Sequence, residues 1–162
     1  IQVLIVPKLM YALDSLWLNQ SQRRRLDSFP VDCLCRIVKI QHAHYTRISN
    51  EEILDVAHSS NLSLFLLRNQ LISFARIANL ESYNYVRELI FEADDTFTLK
   101  ESIFQRRRGR PRLSWANELS KVALHSSGSI PNLQSLFQNY KLPLREWHSA
   151  IGSYLYSTNS IE

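Results

Sequence analysis

Cysteine, glycine and proline are all scarce in this chain. Its 162 residues include only 2 Cys, 3 Gly and 5 Pro. Two cysteines are too few for a disulfide framework, which favours an intracellular, reducing compartment. The low glycine and proline content argues against a disordered or loop-rich chain. Hydrophobic residues make up 45% of the sequence, which predicts a globular domain with a buried core.

Long apolar runs are also missing. The first ten residues are largely apolar, but Pro7 and Lys8 interrupt them, so the run fits neither a signal peptide nor a membrane-spanning helix. We therefore expect no membrane partner. The chain begins at Ile1 rather than at a methionine, which is consistent with a piece of a longer protein.

Acidic residues are absent from one strongly basic stretch. Between Ile103 and Ser114 the sequence has five arginines and no acid, within a chain whose net charge is +4. Clustered guanidinium groups attract a polyanion, because neutralising phosphates releases counterions. The two clusters are Arg106-Arg107-Arg108-Gly109-Arg110-Pro111-Arg112 and Arg23-Arg24-Arg25. For Arg23-Arg24-Arg25 the alternative is the commoner role of such a charge run, a solvated helix face.

Helical signals dominate the chain, and no segment has the period of a strand. Asn19 with Gln22, and Ser49 with Glu52, have the spacing of capping boxes that begin helices. Pro30 lies inside the first of these helices and predicts a kink or two shorter helices. The buried face of that helix is predicted from residues at helical spacing: Leu26, Phe29, Cys33, Ile37 and Ile40.

The remaining segments complete an all-α fold, an irregular bundle of about six to eight helices with one basic irregular loop near 94–113. Residues 62–80 are apolar nearly all round, apart from Asn69, Ser73 and Arg76, and predict the central buried helix. The other predicted helices cover 9–17, 85–93, 114–125, 131–140 and 143–157. The helix that Ser114 begins has a predicted inner face of Trp115, Leu119, Val122 and Ala123.

No group of residues predicts catalysis or a metal site. Asp94-Asp95 could hold divalent metals only with a further carboxylate, and a helix-end or loop role is the better interpretation. Cys33 and Cys35 are too close for the usual zinc spacing and diverge by about 200° on a helix, so core cysteine is favoured. The pair His42 and His44, and the separate His125 and His148, lack partners at a defensible spacing.

The tetrapeptide Arg108-Gly109-Arg110-Pro111 is the strongest single motif. Glycine lets the backbone approach closely and proline keeps the path extended, so the arginines can enter a narrow minor groove. It resembles the core of an AT-hook. Unlike a hook in a disordered tail, it runs directly into Ser114-Trp115, the predicted start of a packed helix.

Five short motifs follow one another along the chain. None is specific alone, but five in order are hard to attribute to chance. They are Val6-Pro7-Lys8-Leu9-Met10-Tyr11-Ala12-Leu13-Asp14; Arg24-Arg25-Leu26-Asp27-Ser28-Phe29-Pro30-Val31-Asp32-Cys33-Leu34-Cys35-Arg36-Ile37; Ser49-Asn50-Glu51-Glu52; Phe74-Ala75-Arg76-Ile77-Ala78-Asn79; and Arg108-Gly109-Arg110-Pro111 with Trp115.

In this order the motifs resemble the segment downstream of the polymerase palm in non-LTR (LINE-like) retrotransposon reverse transcriptases. That family has Tyr-Gly-x-Glu-x-Trp, Arg-Arg-Leu-x-x-Phe-x-x-x-Cys-Leu-Arg-Arg-Ile, Thr-Asn-Glu-Glu, Phe-Gly-His-x-x-Arg and Arg-Gly-Arg-Pro-x-x-x-Trp. The match spans roughly residues 3–120. This chain departs from the family pattern at Ala12, Leu16, Pro30, Ala75, Arg76 and Asn79. Ala12 stands where the family has glycine.

The resemblance implies a thumb or connector region over residues 1–125 of an RNA-directed DNA polymerase. Residues 126–162, a predicted C-terminal helical pair, have no counterpart in it. The catalytic aspartates of such a polymerase lie upstream, so this segment is expected to have no catalytic residue, metal or cofactor. Its implied partners are an RNA–DNA or DNA template–primer duplex and the palm of the same polyprotein. A nuclear location is favoured over a cytoplasmic one.

The site predicted from these patterns consists of Arg23, Arg24 and Arg25 on template–primer phosphates and of residues 106–112 on a duplex backbone or groove. Two other functions stay open at this point. One is a freestanding AT-hook-like DNA-binding protein, which would prefer A·T-rich duplex. The other is a domesticated helical protein-interaction domain that binds no nucleic acid.

Overall fold

The computed structural model describes residues 6–8, 10–39, 48–57, 59–92, 99–100, 114–129, 133 and 143–159. Over these ranges the chain is all-α, as predicted, with seven helical elements and no strand. The predicted helix at 131–140, apart from residue 133, and nearly all of the predicted basic loop lie outside them. The elements are a 3-10 turn at Leu13–Ser15, α1 at Gln20–Val38, α2 at Asn50–Val56, α3 at Leu62–Ala78, α4 at Tyr85–Glu88, α5 at Trp115–Ser127 and α6 at Pro143–Asn159.

The chain divides into two compact units. The first comprises Ile1–Leu13 and Leu18–Leu67, and the second comprises Asp14–Trp17 and Arg68–Glu162. Helix α3 therefore contributes its first six residues to the first unit and the rest to the second. The division at residue 125, which follows from the family resemblance, stays a prediction.

Both predicted capping boxes are confirmed. The Asn19 side chain accepts from the backbone N–H of Gln22, and the Gln22 side chain accepts from that of Asn19, both at 2.9 Å. At the start of α2, Glu52 N–H donates to Ser49 Oγ at 3.2 Å, and Ser49 N–H donates to Glu52 Oε2 at 2.9 Å. Each box satisfies two backbone donors that a helix N-terminus would otherwise leave to water.

The predicted buried face of α1 is wrong. Val31 is buried and packs with Ile53 and Leu54 of α2, and Leu34, Cys35 and Ile48 pack against this cluster. Phe29 and Ile37 are instead 46% and 54% exposed. Helix α1 carries two apolar stripes, and α2 covers the one that contains Val31. Leu26 and Cys33 are half-buried, and Ile40 lies outside the described residues.

Helix α1 runs through Pro30 as a single element, so two shorter helices are not formed. Proline has no backbone N–H, and its presence at this position removes the helical donor to the carbonyl of Leu26. The capping box lies before this gap and the Val31 cluster follows it, so both sides of the helix have stabilising contacts.

Helix α3 is largely buried, as its composition predicted. Its start is capped from α1: Asp27 Oδ1 accepts from Ser63 N–H at 2.7 Å, which places a carboxylate at the positive end of the helix dipole. Arg76 is exposed, whereas Asn69 and Ser73 are half-buried. The buried residues of α3 are Leu62, Leu66, Leu67, Gln70, Leu71, Phe74, Ala75 and Ala78.

Helices α5 and α6 pack against each other within the second unit. The predicted inner face of α5 is confirmed, since Leu119 and Ala123 are fully buried and Trp115 and Val122 are half-buried. The helix ends at Gly128, whose positive φ of 76° is the left-handed conformation of a helix C-cap. Helix α6 begins at Pro143, as predicted, where the missing N–H costs nothing. Its Trp147 is buried and donates from Nε1 to the carbonyl of Leu71 at 3.2 Å.

The expected helix over 9–17 ends early. Residues 6–8 and 10 are helical, and the chain then turns at Tyr11 and Ala12 before the 3-10 turn. Ala12 has a φ of 61°, in the left-handed region that glycine adopts without strain. The predicted helix at 85–93 is also shorter, ending at Glu88.

Replacing Pro30 with alanine is expected to raise the free energy of unfolding by about 1–3 kcal/mol, because alanine restores one helical hydrogen bond and relieves the proline clash. Urea unfolding followed by far-UV circular dichroism measures the change. Pro143→Ala is the matched control, since proline is favourable as the first helical residue. A gain from Pro143→Ala as large as that from Pro30→Ala would contradict the explanation.

Ala12→Gly is expected to stabilise the protein by about 0.5–1 kcal/mol, because an L-residue is strained at positive φ and the exposed methyl group buries little surface. The same exchange in the middle of α5, Ala123→Gly, is expected to destabilise it by at least about 1 kcal/mol. Thermal and urea unfolding of both variants would show the opposite signs. Loss of stability in both would mean that Ala12 is not strained.

Candidate nucleic-acid interface

Arg24 and Arg25 project from the second turn of α1. Both side chains are exposed, and no described residue forms an ion pair with either of them. Their backbone carbonyls both accept from Ser28 Oγ, at 3.0 and 3.2 Å, within the helix. The helix therefore presents two charged side chains to solvent from a regular, capped backbone.

Arg23 differs from its two neighbours. It is half-buried, and its Nε donates to the carbonyl of Leu18 at 3.1 Å. Leu18 lies just before the Asn19 cap, so this bond ties the guanidinium to the turn that precedes α1. The sequence alone does not predict that Arg23 is less exposed than Arg24 and Arg25, because its burial depends on the path of the chain before the helix.

The N-terminus of α1 is unusually positive. Its capping residues Asn19 and Gln22 are neutral, and its first turn contains no acidic residue. The helix dipole places about half a positive charge at this end, one turn before Arg24 and Arg25. Cations near this end weaken a helix, whereas an anion bound there is favoured. The local electrostatics thus disfavour the free helix slightly and favour a phosphate ligand.

The outer face of α1, which we define as Arg25, Phe29, Asp32 and Arg36, continues this surface along the helix. All four side chains are exposed. Arg25 and Arg36 carry positive charge at its two ends, and Asp32 is its one acid. The opposite side of the helix packs on α2 through Val31.

The basic segment predicted from sequence lies outside the described residues. It comprises Arg106, Arg107, Arg108, Gly109, Arg110, Pro111 and Arg112. On its N-terminal side, Lys100 N–H donates to the carbonyl of Ile90 at 2.9 Å, and Lys100 Nζ donates to the carbonyl of Glu88 at 3.3 Å. Leu99 forms an isolated antiparallel bridge with Phe91.

Phe74, Phe91 and Trp115 form an aromatic cluster in the second unit. The Phe74 ring is 5.5 Å from Phe91 and 6.0 Å from Trp115, the latter edge to face. Trp115 Nε1 also donates to the carbonyl of Asp14 at 2.7 Å. Leu99 pairs with Phe91 and Trp115 packs on Phe74, so described residues before and after the basic segment contact the same cluster.

A buried arginine lies against the same cluster. Arg87 is 3% exposed, its Nε donates to the carbonyl of Ala78 at 3.4 Å, and its guanidinium carbon is 5.9 Å from the centre of the Phe91 ring. This geometry gives Arg87 a structural role in the second unit. Its burial is not evident from the sequence, where it stands in a short polar helix.

The residues considered for catalysis are not brought together among the described positions. Asp94, Asp95, His42 and His44 lie outside them. Cys33 and Cys35 are half-buried free thiols, and Cys35 packs against the core, as favoured. Within the described ranges no cluster of three or more His, Cys, Asp or Glu side chains could hold a metal.

The described helices include none with the length and hydropathy needed to cross a membrane.

The His125 ring of α5 contacts the Tyr154 ring of α6 edge to face, with 5.6 Å between the ring centres. This contact gives His125 a role in helix packing.

Comparisons with family models, with curated proteins and with solved structures give no match to this chain. The function is therefore inferred from the residues and geometry above.

Proposed function

We propose that this chain is a nucleic-acid-binding helical region of a LINE-like reverse transcriptase, downstream of the polymerase palm and without catalytic residues of its own. The observation that carries the proposal is the exposure of Arg24 and Arg25 at the positive end of a capped helix. Its ligand is the phosphate backbone of a template–primer duplex.

Rigidity supports this assignment. A phosphate contact gains most when the charged side chain starts from a fixed backbone, because less conformational entropy is lost on binding. The Asn19–Gln22 capping box and the packing of Val31 on α2 hold α1 in this way. Arg24 and Arg25 are the expected contacts, and Arg23 supports them through its bond to Leu18.

The surroundings of the basic segment favour this proposal over a freestanding AT-hook. A hook in a disordered tail is free on at least one side. Here Lys100 on one side and Trp115 on the other make hydrogen bonds within the second unit, and Trp115 also packs on Phe74. Residues 106–112 are proposed as a second contact with the duplex.

The affinity for an RNA–DNA duplex is expected to fall steeply as salt concentration rises. The double variant Arg24→Ala/Arg25→Ala should bind several-fold or more weakly, and its log affinity should depend less on log salt by about 1–2 units, because about two phosphate contacts are lost. Fluorescence anisotropy over a salt series measures both. The matched control removes two exposed arginines of α3, Arg68→Ala/Arg76→Ala, and should change affinity by less than about twofold.

Arg108→Ala/Arg110→Ala is expected to weaken duplex binding by several-fold or more in the same assay. Equal affinity for A·T-rich and G·C-rich duplexes is expected, and a clear A·T preference would favour the AT-hook function. An affinity indifferent to salt would contradict the proposal. Absence of binding at physiological salt would favour a protein-interaction domain.

A further inference from the structure

Two apolar side chains of α1 are exposed beside its arginines. Phe29 is 46% exposed and Ile37 is 54% exposed, although both belong to the stripe that the sequence predicts as core. The helix buries its other stripe on α2 through Val31. Surfaces that bind single-stranded nucleic acid commonly combine exposed aromatic side chains, on which bases stack, with cationic side chains that contact phosphates.

The positions of Arg25, Phe29 and Arg36 suit such a ligand. At 3.6 residues per turn they fall within about 40° around the helix, so the three side chains leave it in nearly the same direction. Arg25 and Arg36 are separated by about 16 Å along the helix axis, a distance that about five stacked nucleotides of one strand would span. Phe29 lies between them.

We infer that the outer face of α1 binds a single-stranded segment of nucleic acid, with an unpaired base stacked on Phe29 and phosphates on Arg25 and Arg36. This inference rests on the proposed function and narrows its ligand. A duplex alone would use the arginines but not the ring, because paired bases are stacked on one another and are not accessible to a phenyl group on a convex helix. The ligand is therefore a strand with unpaired nucleotides, such as a template that extends beyond its primer.

Charge favours nucleic acid over a protein as the occupant of this face. Arg25 and Arg36 outnumber the single acid Asp32, and the N-terminus of the helix adds positive potential. Asp32 stands on the same face and repels phosphate. Its removal should therefore strengthen binding, an effect that a purely apolar docking face would not show.

The experiment measures the affinity of the full chain for three labelled probes by fluorescence anisotropy: a single strand of about 12 nucleotides, within the site sizes of single-strand binders, a blunt RNA–DNA duplex and the same duplex with a single-stranded template overhang. Phe29→Ala should weaken single-strand and overhang binding by about tenfold and leave the blunt duplex within about twofold. Phe29→Tyr should retain affinity, and Asp32→Asn should raise it by about two- to threefold.

Ile37→Ala is the matched control, because it removes an exposed apolar side chain of the same helix, about two turns from Phe29, that has no ring. It should leave all three affinities within about twofold. Far-UV circular dichroism checks that each variant is folded. The salt dependence of Phe29→Ala should equal that of the unmodified chain, since no phosphate contact is removed.

Unchanged single-strand affinity in Phe29→Ala would overturn the inference. Equal losses of single-strand affinity from Phe29→Ala and Ile37→Ala would also overturn it, because they would indicate an apolar face that a protein covers. If either of these results is found while the chain still binds the blunt duplex with a steep salt dependence, the stacking inference fails and the proposed function stands. If it binds none of the three probes, the proposed function fails as well.

Discussion

The contact of Phe74 with Phe91 and Trp115 is the interaction on which the second unit depends. Three rings join the central helix α3 to the bridge at Leu99 and to the start of α5, and Trp115 also holds the carbonyl of Asp14. Aromatic pairs of this kind contribute about 0.5–1.5 kcal/mol each beyond the area they bury. They also join residues that are far apart in the sequence, because Phe74, Phe91 and Trp115 come from three separate parts of the chain.

Local rules of sequence predict those parts of the fold that depend on neighbours within one or two turns. The Asn19 and Ser49 capping boxes join residues three apart, so spacing alone identifies them. Contacts made far along the chain are not predictable in this way. Asp27 caps a helix through Ser63, 36 residues away. After the left-handed Ala12, the carbonyls of Asp14 and Leu16 accept from the side chains of Trp115 and Gln70, which are also far along the chain.

The same distinction between local and distant contacts applies to the candidate site. A charge run on an amphipathic helix predicts the exposure of Arg24 and Arg25, whereas the half-buried position of Arg23 depends on Leu18. The sequence also does not determine which of the two apolar stripes of α1 packs on α2.

Helix α1 combines an internal proline with cations at its positive end, two features that weaken a helix. Neutral caps and the Val31 cluster offset them, and the Asp27–Ser63 bond links the helix to the start of α3.

The tryptophans are distributed unevenly between the two units. Trp17, Trp115 and Trp147 all belong to the second unit, and the first contains none. Trp147 is 1% exposed and bonded to a backbone carbonyl in the interior, so its emission differs between the folded and unfolded states. Intrinsic tryptophan fluorescence therefore reports the second unit alone, whereas circular dichroism reports the helices of both. Comparing the two optical signals separates the units without any label, since coincident transitions are the mark of a single cooperative step.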